Sequence, residues 1–309
     1  MINSHKYTEL DLPVEFLSYQ TEPEQMGVGK SGKIGILNIV LEKDKFSKKT
    51  EVKDYFQQIP LCIKRALYIE ETCPEMAYIY VISPSGGILQ GDRFSFDITL
   101  KKNAISHITT QSATRIYKME KNFGTQTINL TVDENCYLEF IPDQIIPFRK
   151  SRFFQQTYIN VHDTATLIYS EILSAGRVAR GESFEYDLCV MKAIAVNQFN
   201  KTRMIDSTKL IPNKMNFRSQ FVLGKYDTLG NVYVLSPSKF VTKIRDTIND
   251  IFKSSLNTIG SSSILPDNNG VIVRILGGTA SDIRDMIYLI LGIVRKIILN
   301  ISFSGMRKA

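Results

Sequence analysis

Short runs of alternating hydrophobic and polar residues dominate the chain between about residues 30 and 225. In the run 94–100, one face carries Phe94, Phe96, Ile98 and Leu100, and the residues between them are polar. This period of two is typical of a half-buried β-strand. Such runs recur at nearly regular spacing with turn residues between them, which predicts a β-rich body. A sandwich, a barrel or a β-helix would all fit this pattern.

Further segments of the body have the same character, because they are rich in β-branched or aromatic residues and are bounded by turn residues. They are the segments 33–41, 78–82, 104–110, 126–132, 136–141, 156–161, 166–173, 184–196 and 201–205. Long amphipathic helices are not evident between them, so we expect this part of the chain to be almost entirely β.

The pattern changes near residue 230. A strand is predicted at 232–235, and apolar residues at helical spacing follow over 240–256. A second strand is predicted at 270–276, and a second helical stripe follows over 283–298, with Thr279 or Ser281 as the helix cap.

This order of elements predicts a small β-α-β-α subdomain over residues 229–309. Residues 1–228 form the predicted β-rich body. Its first 30 residues or so hold few periodic apolar positions, and we expect them to form an irregular arm.

The composition is that of an ordinary folded protein, because 43% of the 309 residues are hydrophobic and 22% are charged. The net charge of +7 is spread along the chain, and its densest stretch, 43–53, also contains Asp44 and Glu51. A solvated surface therefore explains the charge better than nucleic-acid binding does. Residues 1–30 contain no apolar run, and the apolar stretch 286–294 is too short for a membrane span. We expect a soluble, cytoplasmic protein.

Cysteines and histidines are few and scattered. They are Cys62, Cys73, Cys136, Cys189, His5, His107 and His162. Their spacing matches neither a CxxC pair nor a zinc-binding histidine pair, so free thiols are expected and a structural zinc site is not. The sequence also has no GxSxG nucleophile motif, no Walker A motif and no GxGxxG motif followed by a helix, which argues against acyl-transfer and nucleotide chemistry.

Several acidic residues lie in or beside the predicted strands. They are Asp92, Glu139, Glu171, Glu182 and Asp206. A carboxylate flanked by apolar residues can point into the body, where it needs a partner or water. Such oxygen ligands can also hold a divalent cation, although they bind it only weakly if the ion prefers nitrogen or sulfur donors. Two carboxylates could also serve a glycosidase, although the chain has no tryptophan for sugar stacking. Surface or turn residues held by backbone amides are the remaining alternative.

Four segments, taken in order, resemble the urease accessory protein D family, UreD, which is called UreH in some bacteria. They are 83–92 (SPSGGILQGD), 109–118 (TTQSATRIYK), 138–148 (LEFIPDQIIPF) and 176–184 (GRVARGESF). The order and spacing of these segments agree with the family over about residues 55–210, whereas the C-terminal part shares only a general pattern of strands and helices with it. Departures from the family pattern occur at Gln111-Ser112, Phe140 and Val178, and they affect local backbone shape more than the acidic positions.

The resemblance implies a mainly β fold with a two-layer β-helix-like body, to which the sequence pattern adds the small C-terminal α/β subdomain. It also implies a non-catalytic scaffold of urease maturation. Family members bind a helical accessory protein (UreF-like) and a nickel-carrying GTPase (UreG-like), dock on apo-urease and pass nickel to it. On this basis we expect transient nickel(II) with no tightly bound cofactor, and neither a nucleic-acid nor a membrane partner.

The resemblance further suggests which residues handle the ion. Asp92, Thr114 and Asp206 match family positions implicated in nickel passage, and Asp206 stands where the family often has glutamate. Additional candidates for the passage or its support are Glu139, Glu171 and Glu182. A carboxylate-dependent glycoside hydrolase and a basic nucleic-acid-binding module are the alternative functions.

Overall fold

The computed structural model describes residues 12–20, 32–303 and 305. The predicted irregular arm therefore lies largely outside the described residues. Within the arm, Val14–Leu17 forms a short helix, α1. The side chain of Phe16 is fully buried against Phe123 and Phe154, so this helix packs onto the body.

Two longer helices and a succession of strands make up the rest of the described chain. The helices are α2 (Ser238–Lys253) and α3 (Ala280–Ile298). The strands are β1 (Ile34–Lys43), β2 (Thr50–Gln58), β3 (Cys62–Ile63), β4 (Ala77–Ile82), β5 (Arg93–Leu100), β6 (Ile105–Thr110), β7 (Thr114–Ile116), β8 (Gly124–Val132), β9 (Tyr137–Phe140), β10 (Ile145–Pro147), β11 (Arg152–Val161), β12 (Thr166–Ser174), β13 (Leu188–Val196), β14 (Thr202–Leu210), β15 (Thr228–Leu235), β16 (Thr258–Ile264) and β17 (Gly270–Gly277). Short 3-10 turns lie at Val178–Arg180, Pro212–Lys214 and Pro266–Asn268.

The strands form two sheets, and the chain crosses between them repeatedly from β4 to β13. Sheet A has the order β14-β13-β11-β8-β5-β1-β2. Sheet B has the order β16-β17-β15-β12-β9-β6-β4-β3, with β10 and β7 attached beside β12. Successive crossings add parallel neighbours, namely β1, β5, β8, β11 and β13 in sheet A and β4, β6, β9 and β12 in sheet B. This stacking is solenoid-like, and it confirms the predicted mainly β, two-layer, β-helix-like fold.

The main hydrophobic core lies between the two sheets. Alternate residues of each strand point into it, as Leu37, Phe96 and Leu130 do from sheet A and Leu138 and Leu167 do from sheet B. Each such side chain contributes roughly 1.5–3 kcal/mol when it is fully buried. This core therefore holds the two layers together.

Helices α2 and α3 cover the outer face of sheet B and enclose a second core. The stripe predicted for α3 is buried at Ile283, Ile287, Ile290, Leu291 and Val294. Thr279 caps this helix as expected: its hydroxyl accepts a hydrogen bond from the backbone N–H of Asp282, while the Asp282 carboxylate accepts one from the N–H of Thr279. Among the described residues, no helix combines the length and the apolar character that crossing a bilayer requires.

The C-terminal strands extend sheet B of the body. Strand β15 pairs antiparallel with β12, β17 pairs with β15, and β16 pairs with β17. The sequence pattern did not indicate β16, because its serines give it little β-propensity. The division of the chain after residue 228 stays a prediction.

Candidate functional site between the two sheets

A line of polar side chains crosses the otherwise apolar core between the two sheets. Its members, which we call the inter-sheet polar row, come from six different strands and are Thr114, Gln126, Gln155, Glu171, Tyr233 and Asp206. From β8 to β14 in sheet A the row spans three strand spacings. At about 4.8 Å for each spacing, this distance is roughly 14 Å.

Hydrogen bonds connect the row from Gln126 to Asp206. The Gln126 amide donates to the Gln155 carbonyl oxygen over 2.9 Å, and the Gln155 amide donates to Glu171 Oε1 over 3.0 Å. The Tyr233 hydroxyl lies 3.4 Å from Glu171 Oε2 and 2.5 Å from Asp206 Oδ2. Two carboxylates are thus joined through one tyrosine inside the body.

Glu171 is a buried carboxylate surrounded by neutral donors. It is 5% exposed, and it accepts hydrogen bonds from Gln155, Tyr169 and Asn231. None of the lysines or arginines in the described chain forms an ion pair with it. Burial raises the pKa of Glu171, and the negative charge of Asp206 raises it further, while the hydrogen bonds lower it only in part. A cation placed here would therefore stabilise the charged form.

Asp206 forms one end of the row, close to the surface. Arg274 Nη2 lies 2.7 Å from Asp206 Oδ1, and the side chains of Asp206 and Arg274 are 15% and 43% exposed. Because Arg274 is open to solvent, the row reaches the exterior at this edge of the sandwich.

The other end of the row opens into two cavities. The outer cavity, of about 180 Å³, is lined by Ser83, Gly87, Thr110, Thr114 and Gln126 among others. The inner cavity, of about 20 Å³, shares Thr110, Thr114 and Gln126 with the outer one and extends to Glu171. Thr114 therefore lies between the exterior turn and the buried carboxylate.

Asp92 occupies a different position, in the turn before β5. Its carboxylate is fully buried and accepts hydrogen bonds from the backbone N–H groups of Lys33 and Leu89, over 2.8 Å and 2.9 Å. The ammonium of Lys33 lies 3.2 Å from its Oδ2 atom. These contacts hold the turn that carries Gly87, where a Cβ would lie 2.4 Å from the Arg115 carbonyl oxygen. A direct role for Asp92 in ion passage stays a prediction.

Replacing Asp92 with alanine is expected to lower the free energy of unfolding by about 2–3 kcal/mol, because two buried backbone N–H groups lose their acceptor. Chemical denaturation monitored by circular dichroism would measure the change. Asp54→Ala, at an exposed carboxylate of β2, is the control and should change the stability by less than about 0.5 kcal/mol. Equal stability of the two variants would show that the carboxylate does not hold the turn.

Glu139 points to the opposite face of sheet B, between the sheet and α3. Its carboxylate contacts His107 Nδ1 at 2.5 Å, and Arg295 donates to both of its oxygens. Burial acts to raise the pKa of Glu139, but hydrogen bonds from Arg295 and His107 outweigh it and lower the pKa to about 2. The negative charge of Glu139 is thus balanced by Arg295, and the residue lies outside the inter-sheet polar row.

Glu182 lies in the loop after β12. It forms an ion pair with Arg177 and accepts a hydrogen bond from the backbone N–H of Arg149. Of the six residues predicted for ion passage or its support, the structure brings together Thr114, Glu171 and Asp206. The other three occupy separate sites.

Several members of the row were not singled out from the sequence. Gln126 and Gln155 lie opposite each other in the parallel pairing of β8 with β11. Gln126 could have been recognised from the sequence, because it shares the inward-facing side of its strand with Ile128 and Leu130, and a polar residue on that side is unusual. Tyr233 gave no such signal, because a tyrosine in an apolar strand is also an ordinary core residue.

The described residues contain no group of three or more histidine, cysteine, aspartate or glutamate side chains placed to hold a metal ion. The row offers two carboxylates, one hydroxyl-bearing tyrosine and neutral amides. Such a donor set can exchange protons and bind a divalent cation weakly.

Comparison with known proteins places this two-layer β-solenoid in a family. The chain matches the family model described as UreD urease accessory protein over residues 33–308. The urease accessory protein UreD of Cenarchaeum symbiosum is 38% identical over 284 residues, covering 92% of this chain and 99% of that protein. Urease accessory protein UreD 2 of Brucella canis is 37% identical over 272 residues, covering 87% and 89%. Urease accessory protein UreD of Photorhabdus laumondii is 33% identical over 290 residues, covering 93% and 90%.

The chain belongs to the UreD family of urease accessory proteins. The family resemblance drawn from the four sequence segments is therefore confirmed. Family membership supports a role in urease maturation, and the relatives are named as accessory proteins.

Proposed function

We propose that this chain is a non-catalytic scaffold of urease maturation that passes nickel(II) along the inter-sheet polar row to apo-urease. The observation that carries the proposal is the buried Glu171, whose carboxylate has no cationic partner in the described chain and lies 3.4 Å from the Tyr233 hydroxyl that contacts Asp206. A divalent cation supplies the missing positive charge.

The chemistry of the row suits an ion that must leave again. Nickel binds most strongly to imidazole and thiolate ligands, whereas carboxylate and amide oxygens hold it weakly. Glu171 must release its proton before it can contact the ion, because metal ligands bind in their deprotonated form. The ion would then move between Glu171 and Asp206, with each carboxylate neutralising part of its charge in turn. No tightly bound cofactor is needed for this function.

The partners proposed for the chain are a UreF-like helical accessory protein, a UreG-like nickel GTPase and apo-urease, with the cytoplasm as the place of assembly. The support comes from family membership, because an accessory protein acts on the assembly of another protein. The two ends of the row, at the outer cavity and at Arg274, give the ion separate places to enter and to leave.

Asp206→Asn is expected to lower the nickel content of matured urease by about tenfold, since the amide keeps the hydrogen bond from Tyr233 but loses the charge. Urease would be matured in cells that carry the variant, purified, and analysed for nickel by mass spectrometry. Asp97→Asn, a carboxylate on the outward face of β5, is the matched control and should leave the nickel content unchanged. Wild-type nickel content with Asp206→Asn would remove the row from the mechanism.

A carboxylate-dependent glycoside hydrolase needs two acids that face an open cleft. Glu171 is buried between the sheets, and the cavity that reaches it measures only about 20 Å³. No observation on this chain favours the hydrolase.

A further inference from the structure

A wide, basic groove lies next to the outer cavity. It has a volume of about 900 Å³, and we call it the arginine groove after Arg115, Arg177 and Arg180, which line it together with Tyr117 and Phe148. Arg115 also lines the outer cavity, so the two spaces adjoin at β7. Thr114, the preceding residue, lines the inner cavity that leads to Glu171.

The groove carries unbalanced positive charge. Arg177 is paired with Glu182, and its guanidinium stacks 4.2 Å from the centre of the Phe148 ring. Arg115 and Arg180 are exposed, and their side chains form no ion pair within the described chain. The described lining residues include no aspartate or glutamate. Two arginines are therefore available to a ligand.

The backbone that carries Arg180 forms a tight turn. Val178–Arg180 is a 3-10 turn that ends at Gly181, whose φ of 77° lies in the left-handed region. Gly176, with φ of 145°, begins the same loop, and a Cβ there would lie 2.9 Å from the Glu182 carbonyl oxygen. The loop is thus built around two glycines and the Arg177–Glu182 pair, which reduces the freedom that a bound ligand would have to restrict.

This charge does not serve the nickel ion itself. Positive side chains at the entrance repel a free divalent cation. The lining of the adjoining outer cavity consists, apart from Arg115, of neutral residues. An ion delivered by a docked protein avoids this repulsion, because acidic groups of that protein neutralise the arginines first.

We propose that the arginine groove binds an acidic segment of the protein that delivers nickel to this chain, and so brings that protein's metal site to the outer cavity. The inference rests on the proposed function. Arginine binds carboxylates through paired hydrogen bonds, and the aromatic rings of Tyr117 and Phe148 provide a wall for the backbone and apolar parts of a peptide. A groove of about 900 Å³ accommodates several residues rather than one small anion.

Binding of a fluorescent peptide of about eight glutamates tests the groove directly, by fluorescence anisotropy at low salt. The variant Arg115→Gln/Arg180→Gln is expected to bind it about tenfold more weakly than the wild-type protein, because two charge-assisted contacts are lost. The matched control, Lys53→Gln/Arg65→Gln, removes the same charge from exposed positions outside the groove and should bind as the wild type does. Circular dichroism would confirm that both variants are folded.

Equal weakening by the groove variant and the control would overturn the proposal, since it would show that net charge alone binds the peptide. Displacement of the peptide by an equal concentration of inorganic phosphate would also overturn it, because the groove would then be a simple anion site. The nickel content of urease matured with each variant is the second readout, and only the groove variant should lower it. Peptide binding does not depend on Glu171 or Asp206, so the groove and the inter-sheet polar row can fail separately.

Discussion

Replacing Arg295 with methionine is expected to lower the free energy of unfolding by about 3–5 kcal/mol, which is the usual effect of leaving buried charges without their partner. Arg295 is fully buried between α3 and sheet B. Its guanidinium lies 2.7 Å from each oxygen of Glu139 and 2.8 Å from Glu70 Oε2. Methionine fills a similar volume but leaves two carboxylates without a guanidinium.

The change would be measured as the midpoint and slope of urea denaturation at neutral pH. Lys296→Met is the control, because Lys296 is the next residue of the same helix and is exposed; it should change the stability by less than about 0.5 kcal/mol. The triple variant Arg295→Met/Glu70→Gln/Glu139→Gln should recover much of the loss, since no buried charge is then left unpaired. If Arg295→Met is as stable as Lys296→Met, the buried ion cluster does not hold α3 to the sheet.

The ion cluster of Arg295, Glu70 and Glu139 also makes the stability of the protein depend on pH in the acidic range. The pKa of Glu139 is lowered to about 2 in the folded protein, so the unfolded state binds its proton first as the pH falls. The stability that Glu139 contributes is therefore fully present above its unfolded pKa of 4.5 and is lost as the pH falls through about 2. In Arg295→Met this contribution should be reduced, and acid denaturation should begin at a higher pH.

Replacing Glu171 with glutamine is expected to have opposite effects on stability and function. The variant should be more stable by about 1 kcal/mol at a pH above the folded-state pKa of Glu171, because glutamine then replaces a buried charge without a cationic partner. The nickel content of matured urease should fall by about tenfold, because a deprotonated ligand is lost. Thermal denaturation and nickel analysis of purified urease measure the two effects.

The direction of the pH dependence follows from the raised pKa of Glu171. Between its unfolded and folded pKa the folded state binds more protons, so this group makes the protein less stable as the pH rises through that window. Nickel passage has the opposite dependence and should weaken as the pH falls through the same window, since protonated Glu171 cannot bind the ion. Glu171→Gln should remove both dependences. A Glu171→Gln protein that is less stable than wild type, yet delivers nickel normally, would contradict the role assigned to this residue.

The strands that the sequence predicted best are those with hydrophobic residues on one face and polar residues on the other. Strand β5, with Phe94, Phe96, Ile98 and Leu100 on its inner face, is found as predicted at Arg93–Leu100. Strand β2 was not predicted, because it lies at the edge of sheet A and exposes most of its side chains. Backbone pairing with β1 holds this strand in place, and its side chains show no alternation of hydrophobic and polar residues from which the strand could be predicted.

The sequence by itself determined the β-rich body, the two helices near the C-terminus and the family, because periodicity and ordered motifs are local properties of the chain. It also supplied Glu139 and Glu171 as carboxylates flanked by apolar residues. Only the tertiary structure decided that Glu171 faces the other sheet and joins Asp206, whereas Glu139 faces α3 and pairs with Arg295. Strands β9 and β12 are buried on both faces, so no contrast between hydrophobic and polar positions shows which side each residue takes.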